Sequence, residues 1–130
     1  MRRLFQLPEE DEECLAALGR AWEAVLVGDA KWLLFPDYPV PEAYNHQRAT
    51  AAVRIPRSYP DDQIDMVYFK PHLALKSGRA IKNLSDFNLG NDSYQQWSRH
   101  RTQDNPWRPG LDNVCTHLLQ VDNWLQRECR

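Results

Sequence analysis

Apolar positions recur most regularly near the C-terminal end, where Leu111, Val114, Cys115, Leu118, Val121 and Leu125 follow at steps of three and four residues. A 3.6-residue helical turn places them on one stripe, so the pattern predicts a helix from about Leu111 to Arg127. Trp124 lies beside the stripe, and Pro109-Gly110 breaks the chain before it. At the other end, Pro8 and the acidic run Glu9 to Glu13 precede Cys14-Leu15-Ala16-Ala17-Leu18-Gly19. Proline and carboxylates suit a helix start and glycine suits its end, so a short helix is expected here. The carboxylates are consecutive and cannot converge from different elements, which makes them a solvated helix start rather than a metal site.

Between these helices the apolar period shortens to that of strands. Trp22 to Val27, the turn residues Gly28-Asp29, and Lys31 to Phe35 read as a β-hairpin, with Pro36, Pro39 and Pro41 stopping its second strand. A third extended run covers Ala49 to Pro56 and a fourth Ile64 to Phe69, separated by the proline-containing turn Ser58 to Asp62. Short strands joined without helices imply a four-stranded antiparallel meander. From His72 to Asn91 no period is sustained, and this segment reads as mostly loop, with room for one short strand. The whole is an α+β arrangement, expected to form one domain over residues 1–130.

Composition narrows the function classes. Sixteen Lys plus Arg against eighteen Asp plus Glu give a net charge of −2, far from the basic balance of a dedicated nucleic-acid binder. That disfavours a nucleic-acid module built on Lys70, Lys76, Arg79, Lys82, Arg99, Arg101 and Arg108. No stretch approaches eighteen apolar residues, so no membrane span is expected, and the first residues are too short an apolar run for a signal-peptide core. Cys14, Cys115 and Cys129 are odd in number and form no C-x-x-C pair, so neither a disulfide framework nor a zinc ribbon is read from them. Free thiols in a reducing, cytoplasmic compartment are the expectation. Cys115 lies on the apolar stripe as a packed small hydrophobe, and Cys14 and Cys129 sit near the termini. His117 falls off the main stripe and is expected to be exposed or partly buried. His46 and His72 stand alone in loops; no local pair has metal spacing, and no metal or cofactor is expected.

Walker loops, G-x-G-x-x-G, H-E-x-x-H and G-x-S-x-G are all absent. Two constellations remain: Val53-Arg54-Ile55-Pro56-Arg57-Ser58-Tyr59-Pro60, and Trp97-Ser98-Arg99-His100-Arg101 followed by Trp107-Arg108-Pro109-Gly110 and the amphipathic helix. Together they resemble the ubiquitin-conjugating (UBC) superfamily, in which a meander ends in a strand-Pro-x-x-Tyr-Pro turn and Trp-x-Pro opens a C-terminal helix. The wording around Trp97 and Trp107 is similar to its divergent bacterial branch, prokaryotic E2 family E, over roughly residues 22–127. The resemblance implies a UBC-like fold: N-terminal helix, four-stranded meander, irregular active-site-like segment, and a C-terminal helix packed on the sheet. It further implies a role in ubiquitin-like conjugation beside a ubiquitin-like modifier, a ThiF-like activating enzyme and a JAB-type metallopeptidase.

The chain also departs from that superfamily. Conjugating enzymes keep a Cys some eight residues before the Trp of Trp-x-Pro, because a thiolate can carry an acyl group as a thioester. Here that spacing falls near Arg99, no Cys lies between Cys14 and Cys115, and no His-Pro-Asn signature is present. The candidates for chemistry are therefore Ser98, as an oxyester carrier, and His100, as its base or as an independent proton carrier. Against these stand a capping serine and a structural histidine. Trp97, Arg99, Arg101 and Trp107 are candidates for partner binding, with the arginines suited to a carboxylate or an acidic face. Their alternatives are core aromatics and solvated cations. Two functions follow: an E2-like protein that transfers the modifier without the standard Cys, or an inactive adaptor of the same fold that only positions it.

Overall fold

The computed structural model describes residues Met1 to Arg130. Its elements are α1 (Glu9–Leu18), β1 (Glu23–Val27), β2 (Ala30–Pro39), β3 (Arg48–Ile55), β4 (Val67–Lys70), β5 (Leu84–Leu89), β6 (Asp92–Trp97) and α2 (Val114–Glu128). All strand pairs are antiparallel in one six-stranded sheet of order β1-β2-β3-β4-β6-β5. The fold is thus α+β with two helices, as expected, but the strand count is six rather than four. The two additional strands come from the segment read as loop. Their alternation is weak because β5 is largely exposed and polar. The turn residues Gly90-Asn91 between Leu89 and Asp92 were the available hairpin signal.

The first hairpin turns at Gly28-Asp29 as its sequence requires, with Gly28 at a φ of +60° and Val27 paired to Ala30. Pro36 does not stop β2. A register shift between Phe35 and Tyr38, with Asp37 at a φ of 55°, makes a bulge that takes the proline out of the ladder, and the strand runs on to Pro39. The fourth strand starts at Val67, later than Ile64, because Met66 turns the chain at a φ of 60°. Ile64 is still buried.

Helix α2 begins at Val114 rather than Leu111. Asn113 caps it: its side chain accepts from the Thr116 N–H while Thr116 Oγ1 accepts from the Asn113 N–H. Leu111 lies outside the helix and is 66% exposed, whereas Val114, Leu118, Val121 and Leu125 pack on the sheet beneath. His117 is 1% exposed, contrary to its expected position, because the helix lies deeper against the Met66 turn than its stripe implies.

The thiols correct a further expectation. Cys14 on α1 and Cys115 in the first turn of α2 form a disulfide with Cα atoms 6.4 Å apart, and Cys129 is the free cysteine. Spacing could not reveal it, since 101 positions separate the partners. Nor is the acidic start of α1 wholly solvated. Asp11 is buried and accepts a 2.5 Å hydrogen bond from the Tyr59 hydroxyl, and burial raises its pKa.

The sheet has a core on each face. The helix side holds Phe35, Tyr38, Phe69, Trp97 and the apolar stripe of α2. On the other face, Trp32 of β2 lies 5.0 Å from Tyr68 of β4 and 5.6 Å from Phe87 of β5 between ring centroids. Four strand steps separate β2 from β5, about 19 Å in a flat sheet. Ring contact across that span requires the sheet to curl tightly, which closes the second face over its own aromatics.

Candidate functional site

The site lies where β6 ends. Trp97 is completely buried, with its ring 5.4 Å from that of Phe69 and its Nε1 donating to Gln95 Oε1 at 2.9 Å. Gln95 is itself buried, and it accepts from the Leu73 N–H and donates to the Leu73 carbonyl. Trp97 therefore anchors the segment that follows it and offers no surface to a partner.

Beyond Trp97 successive side chains diverge. Ser98 continues the ladder, its N–H donating to the Asn83 carbonyl, and its Oγ accepts from Gln96 Nε2 at 3.2 Å. Arg99 donates to the Lys82 carbonyl at 3.0 Å and approaches Glu128, the last residue of α2, at 3.6 Å. His100 points away from both and holds Asp65, with Nδ1 at 2.9 and 3.0 Å from the two carboxylate oxygens. Arg101 turns back beneath Trp107, with its guanidinium 5.3 Å from that ring and 3.5 Å from Asp112. The structure thus joins His100 to Asp65, and no hydrogen bond joins Ser98 to His100.

The two arginines differ from solvated cations. Arg101 and Asp112 have side chains 5% and 2% exposed, and each arginine is matched to a carboxylate near a different end of α2. Burial pushes the Asp112 carboxyl up, but the Arg108 N–H, the Arg108 side chain and the Arg101 charge together hold it below the usual range. Trp107 is fixed by donation from Nε1 to the Pro60 carbonyl at 2.9 Å, with its ring 6.2 Å from Tyr59. This ties the Tyr-Pro turn to the Trp-x-Pro segment, so the two motifs of the sequence meet in space.

Asp65 and His100 are both open to solvent, the imidazole side chain 60% exposed. Asp65 also lines a groove of about 280 Å³ with Arg54, Arg57, Gln63, Met66 and Tyr68. A carboxylate on Nδ1 favours the tautomer that carries its proton there, leaving the Nε2 lone pair outward to accept a proton. That is the chemistry the arrangement can perform. The Asp65–His100 pair has no thiol in the groove beside it: Cys14 and Cys115 are bonded to each other, and the free Cys129 follows Glu128, the residue Arg99 approaches at the C-terminal end of α2. Close by, His117 is buried and neutral; burial lowers its pKa to about 4, against the opposing hydrogen bond from Nε2 to the Met66 carbonyl at 2.8 Å.

Sequence reasoning missed Asp65, Asp112 and Glu128. None stands within ten positions of the Trp97 segment, and only the fold brings them there. No group of three or more His, Cys, Asp or Glu side chains converges in metal-binding fashion.

The Tyr-Pro turn docked on a Trp-x-Pro segment before a C-terminal helix is the pairing of motifs on which the resemblance to E2-like proteins rests. The chain belongs to prokaryotic E2 family E, whose family model matches residues 7–128 and so takes in α1 as well as the sheet and α2. It is thereby an E2-like component of a conjugation pathway. No curated protein and no solved structure matches it. No helix is long and apolar enough to cross a membrane.

Proposed function

We propose that this chain binds an activated ubiquitin-like modifier, or the ThiF-like enzyme that activates it, and that His100 is the proton carrier when the modifier is transferred. The observation that carries the reading is the Asp65–His100 pair, open to solvent beside a groove whose lining holds no thiol. A base without a nucleophile fits an acyl group carried elsewhere, as a thioester on the partner. An amine attacks that thioester, a C–N bond forms and the C–S bond breaks. His100 Nε2 takes the amine proton and passes it to the departing thiolate. Asp65 orients the imidazole and touches no reacting atom. A JAB-type metallopeptidase would remove the modifier again.

Ser98 as carrier has less support, because its hydroxyl is engaged by Gln96 and no base reaches it. The missing thiol favours a second reading, an inactive adaptor that only positions the modifier. The test is modifier transfer in the presence of activating enzyme and ATP, followed by intact mass and gel shift. His100→Gln is expected to slow transfer at least about 100-fold and Asp65→Asn about 10-fold, with partner affinity unchanged. Transfer at the wild-type rate in His100→Gln, with binding intact, would establish the adaptor. A covalent adduct that disappears in Ser98→Ala would make Ser98 the carrier.

A further inference from the structure

The Val53-to-Pro60 motif holds two arginines that the fold leaves without partners. Arg2, Arg79, Arg99, Arg101 and Arg108 each meet a carboxylate. Arg54 and Arg57 are exposed and form neither an ion pair nor a side-chain hydrogen bond, and Asp61 and Asp62 of the turn that follows pair with neither of them. The sheet explains their setting. Arg54 stands two positions beyond Ala52 on β3, so it shares the face of Ala52 and of the cross-strand partner of Ala52, Tyr68. Pairing of β3 with β4 ends at that Ala52–Tyr68 step, and Met66 turns the chain away at a φ of 60°. β3 therefore runs on through Arg54 with no β4 backbone beside it, and the space left is the groove shared with Asp65. Tyr68 is its fixed wall, 5% exposed, with its ring 5.0 Å from that of Trp32 and 4.8 Å from that of Phe87. No group of the chain bonds to the Tyr68 hydroxyl. Burial raises its pKa against the opposing pull of Arg54, so it keeps its proton and is free to donate. The groove thus has two cations and a hydroxyl donor at one end and the Asp65–His100 pair at the other.

We infer that this groove selects the acceptor of the modifier, taking a peptide segment in which an acidic side chain lies close to the attacking amine. The inference rests on the transfer reading above and names the substrate class of the same site. Charge complementarity chooses the occupant. The acidic side chain meets Arg54, Arg57 and the Tyr68 hydroxyl, and a guanidinium holds a carboxylate through paired N–H donors. The amine, an ammonium until it reacts, is drawn to Asp65 and so arrives beside His100. A neutral acceptor makes only the second of these contacts. A phosphate group brings no cation for Asp65 and meets it as a like charge.

The experiment is modifier transfer by the full chain, with activating enzyme and ATP, to two peptides acetylated and amidated at their ends. One carries a single lysine with a glutamate two positions to either side, and the other has glutamine in place of both glutamates. The kcat/KM is expected to favour the glutamate peptide at least about ten-fold. In Arg54→Gln/Arg57→Gln that ratio should fall to about one, and Arg54→Glu/Arg57→Glu should turn the preference toward a peptide with arginine in place of the glutamates, a reversal that lost folding does not produce. In an amide NMR titration the glutamate peptide should shift Arg54, Arg57 and Tyr68, and the glutamine peptide should not. Equal rates on the two peptides with the wild type, or an unchanged ratio in Arg54→Gln/Arg57→Gln, would overturn the inference and leave the E2-like reading standing. Inorganic phosphate that shifts the same amides at lower concentration than the glutamate peptide would also overturn it, because the groove would then belong to a phosphate ligand. A wild-type chain that neither binds nor transfers the modifier overturns the E2-like reading itself, and the inference with it.

Discussion

Removing the Cys14–Cys115 bond is the perturbation with the largest effect that the structure allows to be worked out. The bond closes a loop of 101 residues between α1 and α2. In the chain-entropy model such a crosslink removes about 16 cal/mol/K from the unfolded ensemble, or about 4.7 kcal/mol at 25 °C. With an unfolding entropy of about 2.1 cal/mol/K per residue over this chain, the melting temperature should fall by about 17 °C. Both cysteines are only half-buried, so a serine at each loses little packing beside that term. The assay is thermal unfolding by circular dichroism of the wild type with and without a phosphine reductant, of Cys14→Ser/Cys115→Ser, and of Cys129→Ser. The reductant and the double variant should agree, and Cys129→Ser should melt like the oxidised wild type. A shift below about 3 °C on reduction, or three titratable thiols in the air-oxidised protein in place of one, would refute the reasoning.

Three further outcomes are expected. His117 has a folded pKa of about 4 against an ordinary 6.5, so the unfolded chain binds the extra proton between those values. Stability should therefore be complete above pH 6.5 and fall by roughly 3 kcal/mol as pH drops toward 4, a slope that urea titrations will lose in a folded His117→Gln. Asp112→Ala leaves the buried Arg101 guanidinium without its carboxylate and should cost about 3–5 kcal/mol in the same urea titrations, where Arg108→Ala at the exposed partner costs under about 1. Tyr59→Phe leaves the buried Asp11 carboxyl without its short bond, and a loss of about 1–3 kcal/mol by calorimetry is the expected result.

From the sequence, α2 was legible by its apolar stripe, α1 by its proline and carboxylates at the start and glycine at the end, and the first hairpin and β3 as short apolar runs bounded by turn residues. The β5–β6 hairpin was not, because a strand exposed on much of its surface has little apolar alternation to display. β2 passed its prolines by a bulge, a device that depends on backbone geometry at Asp37 rather than on any run of residue types. In the site, the Trp97-to-Arg101 segment was found through motif wording, but its carboxylates were invisible. Asp65, Asp112 and Glu128 acquire meaning only when the fold brings them to His100, Arg101 and Arg99. The disulfide was hidden for the same reason.

Arg99 and Arg101 reach in opposite senses along one helix, the first to Glu128 at its end and the second to Asp112 just before its start. Fifteen residues of α-helix measure about 22 Å, so α2 is a ruler and the three residues above it a bowstring strung between its tips. His100 sits at the middle of that string. Inserting or deleting one residue in α2 should therefore strain one of the two ion pairs while leaving every group of the Asp65–His100 dyad in the chain.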